Sequence, residues 1–316
     1  MIFSENRYPL FRIMLWGCSV IGILTRSGAA MLPLLFASAA LAEPETVYFK
    51  SGDGETEIVG YLFKPKPAGA HGAVVMLHGR AGPYSANVNA DCTLVARAVP
   101  SPCSAVTLSK RHMMWGEYWA ARGYVALLPD SFGPRGKGHG FGRGTHGDPD
   151  RDDVNERTVR PLDAEAALGF LQARKDVVPQ RIFLQGWSNG GSTALNVMIR
   201  QGAGGGAGRG AGGGFRAALA FYPGCGKAAL LEGTVMTTTP IAMFLGSDDE
   251  EVSPTICQHV AERSLAAGTP IDVTLYQGAT HDFDDPGEKR QSVPANVAAK
   301  EDAMRKAIAV VEAARD

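Results

Sequence analysis

Seven short apolar runs, separated by amphipathic segments, constrain this chain more than any other feature. The runs are Glu57–Phe63 (EIVGYLF), 73–77 (AVVML), 124–128 (YVALL), 181–185 (RIFLQ), 217–221 (AALAF), 241–245 (IAMFL) and 272–276 (DVTLY). Most are continuous rather than alternating, which is the pattern of strands covered on both faces. Between them, 112–122, 161–174, 189–200, 254–267 and 294–314 read as helices, and Pro161 and Pro254 suit a first helical turn. Strands that alternate with helices predict an α/β fold: a doubly wound, mostly parallel sheet with helices on both faces. In such sheets ligands bind at the carboxyl ends of the strands.

The first 42 residues stand outside that pattern. Residues 31–42 read MLPLLFASAALA, an apolar run that ends in a small-x-small pattern, with Arg26 upstream and the polar Glu43-Pro44-Glu45 downstream. This predicts a signal peptide at 1–42, cut after Ala42, and a single domain at 43–316. The run is shorter than the ~20 residues that a spanning helix needs. The stretch 11–24 (FRIMLWGCSVIGIL) is long and apolar for a signal's leading region, so a later start or an uncleaved anchor stays open. The expected location is outside the cytoplasm, periplasmic or secreted, with no stable membrane insertion of the remaining chain.

Charge excludes other classes. The 31 Lys and Arg balance 32 Asp and Glu, for a formal net charge of −1. Neither a nucleic-acid footprint nor a polybasic membrane patch is present. Of the five cysteines, Cys18 lies in the expected leader. The other four suit two disulfides in an exported chain. Three pairings are possible. Cys92–Cys103, local to one loop, and Cys225–Cys257 are preferred over the alternatives and over four reduced thiols. No Cys/His spacing suggests a metal.

Three segments interrupt the alternation. Residues 82–110 and the glycine- and charge-rich 132–155 both follow strands, so both should overlie the ligand end of the sheet. Residues 202–214 (GAGGGAGRGAGGG) are of low complexity and read as a surface linker, not a phosphate loop.

Gly186-Trp187-Ser188-Asn189-Gly190 fits G-x-S-x-G and falls between a predicted strand and a predicted helix. That context predicts a nucleophile elbow, a turn so sharp that only glycine fits two residues to either side of the serine. The turn exposes the hydroxyl and aims a helix N-terminus at it. A serine needs a base, and in this order of elements the base follows the nucleophile. Only His259 and His281 follow Ser188, and His259 falls inside a predicted helix. His281 sits in a turn after the last predicted strand. The acid should follow the strand at 241–245, where Asp248, Asp249, Glu250 and Glu251 compete. Asp249 is the first choice and Asp248 the second; the other acids are expected to be solvated or to cap the next helix. The oxyanion hole should use the N–H of Asn189 and one from the loop 78–82, assigned to Arg80. His78 is expected to brace that loop.

Further along, MLHGRAGPYS (76–85), LSKRHMMWGEYWAARGYVALLPDSFGPRG (108–136), ERTVRPLDAEAAL (156–168), GWSNGGS (186–192), FYPGC (221–225), GSDDEEVSP (246–254) and GATHDF (278–283) stand together. In these segments the chain resembles the dienelactone hydrolase family, in its exported, serine-containing branch. The resemblance implies an α/β-hydrolase fold and a triad at Ser188, Asp249 and His281. It departs from the family's namesake, whose nucleophile is cysteine where this chain has Ser188, and so points to ordinary esters or lactones rather than dienelactone. Arg135 and Arg80 are candidates to pair with a substrate carboxylate, as alternatives to being solvated or bracing Asp130, and Trp187 is a further candidate substrate contact. The expected activity needs no cofactor, and its partner is a small-molecule ester or lactone. Two rivals are a small serine peptidase or amidase on the same fold, and a non-catalytic binding protein on a hydrolase scaffold. Oligomeric state is not legible.

Overall fold

A computed structural model describes residues 43–145, 149–205, 213–231 and 233–315. The expected signal peptide, His146 and most of the glycine-rich linker lie outside the described residues.

Eight strands form one sheet: β1 (Glu45–Lys50), β2 (Glu57–Phe63), β3 (His71–Leu77), β4 (Val125–Asp130), β5 (Val177–Trp187), β6 (Ala218–Phe221), β7 (Ile241–Gly246) and β8 (Ile271–Tyr276). Their order is β1-β2-β4-β3-β5-β6-β7-β8. From β4 to β8 every neighbouring pair is parallel; β2 runs antiparallel to β1 and β4. The helices are α1 (Lys110–Ala121), α2 (Pro149–Asp152), α3 (Val159–Gln172), α4 (Asn189–Gly202), α5 (Pro254–Ala266), α6 (Glu288–Gln291) and α7 (Pro294–Ala313).

The sheet separates two cores. Side chains of a strand alternate between faces, so Ala73, Val75 and Leu77 pack with α3, α4 and α5. Val74 and Met76 face the other way, toward Trp115 and Trp119 of α1 and Ala303, Ala307 and Val311 of α7. Burial on both faces explains why β3 to β7 read as unbroken apolar runs. Local signals set the helix ends. Ser109 caps α1 by accepting the His112 N–H, and Ser253 caps α5 by accepting that of Ile256. Pro254 and Pro294 begin α5 and α7, where no backbone donor is needed.

All seven predicted strands and five predicted helices are present, with ends shifted by a few residues. The eighth strand, β1, went unread. It is an edge strand whose pattern alternates, with only Val47 and Phe49 turned inward. Its sequence, ETVYFK, therefore has an apolar run of only three residues, Val47-Tyr48-Phe49. Among the described residues, no helix is long and apolar enough to cross a membrane.

Candidate active site

The carboxyl ends of β3, β5, β7 and β8 converge on one cleft. β5 ends at Trp187, and Ser188 follows with φ +52° and ψ −117°, a conformation that costs a non-glycine residue roughly 1–3 kcal/mol. The strain is held in place by its surroundings. The Ser188 N–H donates to the Phe221 carbonyl at 2.9 Å, extending the pairing of β5 with β6. A Cβ at Gly186 would collide with the Gly190 carbonyl, and one at Gly190 with the carbonyls of Leu77 and His78. The two motif glycines thus let the strand, the helix and the loop after β3 close on one another.

His281 follows β8 and is buried. Its Nδ1 donates to Asp249 Oδ2 at 2.8 Å. Asp249, in the turn after β7, is fixed by the N–H groups of Glu251 and Val252 at 2.8 and 2.9 Å, both on its other oxygen. Asp248, the second choice, instead accepts from the Ser247 hydroxyl. Burial works against a charged His281 imidazole, but the hydrogen bond that it donates to Asp249 and the charges of Asp282, Asp249 and Glu251 outweigh it. The net effect raises the pKa above its ordinary value.

Ser188 and His281 line one cavity of about 250 Å³, shared with Arg80, Glu251, Arg111 and His112. Ser188 also lines an adjoining cavity of about 220 Å³ with Asn189, Arg143, Arg151 and Ser192. Among the described residues, the Ser188 hydroxyl makes no hydrogen bond. The His281 Nε2 has Glu251 Oε2 at 3.9 Å. The N–H groups of Arg80 and Asn189 also donate to no acceptor among the described residues. Both long loops reach this end, as expected. They are tied together by Val95 N–H to Gly133 O at 2.9 Å and Gly138 N–H to Thr93 O at 2.7 Å. Disulfides join Cys92 to Cys103 and Cys225 to Cys257.

Several expectations need correction. The Arg135 guanidinium is committed to Asp163 at 2.9 Å and Asp53 at 2.7 Å, and it lines neither cavity. It does not brace Asp130, which is held by Tyr84 and two backbone N–H groups. Trp187 is fully buried, its indole N–H on Asp284 at 2.8 Å, so it is a floor of the site and not a cavity wall. The Arg80 side chain is held by Glu251 at 3.0 Å and by the Phe141 carbonyl. Glu250 is exposed, as expected, but ion-paired, Glu251 is largely buried, and neither caps the next helix. Glu250 accepts the His281 N–H at 2.9 Å and pairs with Arg290.

Other site residues escaped the sequence. Asp284 is fully buried and accepts from Trp115, Trp187 and the Tyr222 hydroxyl, with Arg111 Nε at 3.6 Å. Tyr222 lies against the His281 ring, centroids 4.7 Å apart. Glu251, His281 and Asp282 could each offer an atom to a cation. However, Glu251 is paired with Arg80 and Asp282 with Arg111, so both carboxylates are already matched to a guanidinium.

Comparison with known proteins agrees with this fold. A dienelactone hydrolase-like promiscuous phosphotriesterase from metagenomic libraries superposes with TM-score 0.58 at 17% identity, over 87% of this chain and 100% of that one. The propionate-bound thermophilic esterase of Thermogutta terrifontis gives 0.55 at 19%, over 85% and 95%. Its paraoxon-phosphorylated form gives 0.52 at 20%, over 83% and 94%. These likenesses establish the fold. Residues 106–314 match the dienelactone hydrolase family as a sequence family. That match spans most of the chain, including the elbow and the His281 turn, and the chain belongs to the dienelactone hydrolase family.

Proposed function

We propose that residues 43–316 form an exported serine hydrolase of carboxylic esters or lactones, with Ser188 as nucleophile, His281 as base and Asp249 as its orienting acid. The observation that carries this reading is the 2.8 Å pairing of His281 with Asp249 on the wall of the cavity that the strained Ser188 enters. His281 Nε2 takes the hydroxyl proton as Ser188 Oγ attacks the carbonyl carbon. The hydrogen bond from the Ser188 hydroxyl to His281 Nε2 forms as substrate enters, since such contacts often tighten only in the complex. The Arg80 and Asn189 N–H groups receive the oxyanion. The imidazolium then protonates the departing alkoxide, and His281 deprotonates the water that releases the acid. Two disulfides are compatible with export.

The related esterase that paraoxon phosphorylates supports a nucleophile of this kind. Replacing Ser188 with Ala is expected to lower turnover of short p-nitrophenyl esters by about 10⁴-fold or more. Paraoxon should add one phosphoryl group to the wild type and none to the variant. Undiminished turnover by pure Ser188→Ala protein would remove Ser188 as nucleophile. Comparable cleavage of a peptide anilide would favour an amidase. A serine unreactive toward a fluorophosphonate would favour a binding protein.

A further inference from the structure

The two peptide segments assigned to the oxyanion hole share a buried support that the mechanism above does not use. Arg160, near the start of α3, is 1% exposed. Its Nη1 donates to the Asn189 side-chain oxygen, and its Nη2 donates to the His78 carbonyl at 2.7 Å. The Asn189 amide nitrogen donates in turn to Glu156 at 2.8 Å, and Glu156 is paired with Arg151. One guanidinium thus holds both the first residue of α4 and the loop after β3.

His78 completes the arrangement. It is fully buried, and its Nδ1 lies 2.8 Å from the Gly79 carbonyl. Its Nε2 receives the Ser131 N–H at 3.2 Å. A carbonyl can only accept and an amide N–H can only donate, so the proton sits on Nδ1, and Arg160 Nη2, 3.5 Å from that nitrogen, is spent on the closer His78 carbonyl. Burial and the Arg160 charge hold the ring neutral, its pKa well below the ordinary value. A trans peptide is planar, with its C=O and N–H pointing opposite ways. Gripping the Gly79 carbonyl therefore turns the Arg80 N–H in the other direction. A second bond to the same carbonyl, from Gly82 N–H at 3.2 Å, acts in the same sense. Phe132 packs both partners, edge-on to the His78 ring at 4.6 Å and under the Arg160 guanidinium at 4.9 Å.

We infer that His78 and Arg160 are positioning residues for the oxyanion hole, His78 by aiming the Arg80 N–H and Arg160 by fixing that loop against Asn189. The inference rests on the serine-hydrolase reading. Neither side chain touches substrate. Their effect falls on the transition state, because oxyanion donors are used most when the carbonyl oxygen gains charge.

The test compares His78→Asn, His78→Gln and Arg160→Lys with the wild type on p-nitrophenyl acetate. Rates are normalised to the serines that a fluorophosphonate labels to completion. The Asn amide nitrogen can stand where Nδ1 stands, whereas that of Gln reaches toward Nε2. His78→Gln is expected to lose about 10–100-fold in kcat with KM within about threefold, short of the full loss of a donor. His78→Asn should recover most of that loss. An alkylboronic acid, which forms a tetrahedral adduct, should weaken in parallel with kcat across the series. Arg160→Lys should fall between wild type and His78→Gln. Equal losses in His78→Asn and His78→Gln, or a His78→Gln kcat within about twofold of wild type, would overturn the inference. If Arg160→Lys does not fold, the His78 pair alone decides. Wild-type turnover that Ser188→Ala leaves intact sinks the parent reading as well, and is recognised separately because it needs neither variant.

Discussion

Two polar shells meet at the Ser188 hydroxyl, and they are built differently. Under the elbow, His78, Glu156, Arg160 and Asp284 are all almost completely removed from solvent. Around the His281 turn, the supports include ion pairs open to water. Glu250 keeps 40% of its side chain exposed where it meets Arg290, and Arg143 keeps 60% where it meets Glu251. Buried polar groups are costly to leave unpaired, so the inner shell holds a single geometry. Exposed ion pairs hold little geometry but still contribute charge. On the proposed reading, the inner shell positions Ser188 and the Arg80 and Asn189 N–H groups, while the outer shell adds negative charge around His281. Asp249 belongs to the turn side by sequence but is as buried as the inner shell.

That contrast can be broken in order of expected effect. Asp249→Asn keeps the shape but favours the wrong imidazole tautomer. Turnover should fall by about 10⁴-fold with the fold intact, measured by ester kinetics and circular dichroism. A small loss would mean that Glu250 or Glu251 takes over the role. Asp284→Ala leaves the donors of Trp115, Trp187 and Tyr222 unpaired, and Arg111 loses a buried partner. The expected cost is about 3 kcal/mol or more, read from denaturant midpoints. A change under about 1 kcal/mol would show that the inner shell is not rigid.

Outer-shell substitutions should act on pH dependence. A base must be neutral, so the acid limb of kcat/KM should lie above the ordinary histidine value of about 6.5. Glu251→Gln removes a negative charge near Nε2 that favours the imidazolium. The limb should move to lower pH, and an unmoved limb would deny Glu251 its part in tuning the base. The sign for stability is opposite to that for activity. A raised folded pKa contributes stability below the unfolded value, and this is lost as pH rises through the folded value. The smallest effect is expected for Glu250→Ala, less than about 1 kcal/mol, because its pair with Arg290 is half-exposed. A larger loss would show that its bond to the His281 N–H holds the turn.

Most of the fold was legible because strands buried on both faces leave continuous apolar runs, while β1, wetted at the edge, leaves only Val47 and Phe49 as a trace. The acid was legible only in part: four carboxylates stand in a row, and which one faces His281 depends on the turn. Arg135 misled, because a guanidinium near a predicted site looks the same in sequence whether it faces a ligand or Asp163. α3 concealed its inner face. Its Arg160, Asp163 and Glu165 have the composition of a wet face, yet all three are buried.

By itself, then, the sequence determined the order of strands and helices, the elbow and the candidate base, because these depend on neighbours a few residues away. Only the tertiary structure decided which polar groups pair: Arg160 with His78 and Asn189, Asp284 with two indoles and a phenol, Glu251 with Arg80. Those partners lie tens to more than a hundred residues apart. What selects them is the cost of an unpaired charge inside a packed core, and that cost exists only once the core has formed.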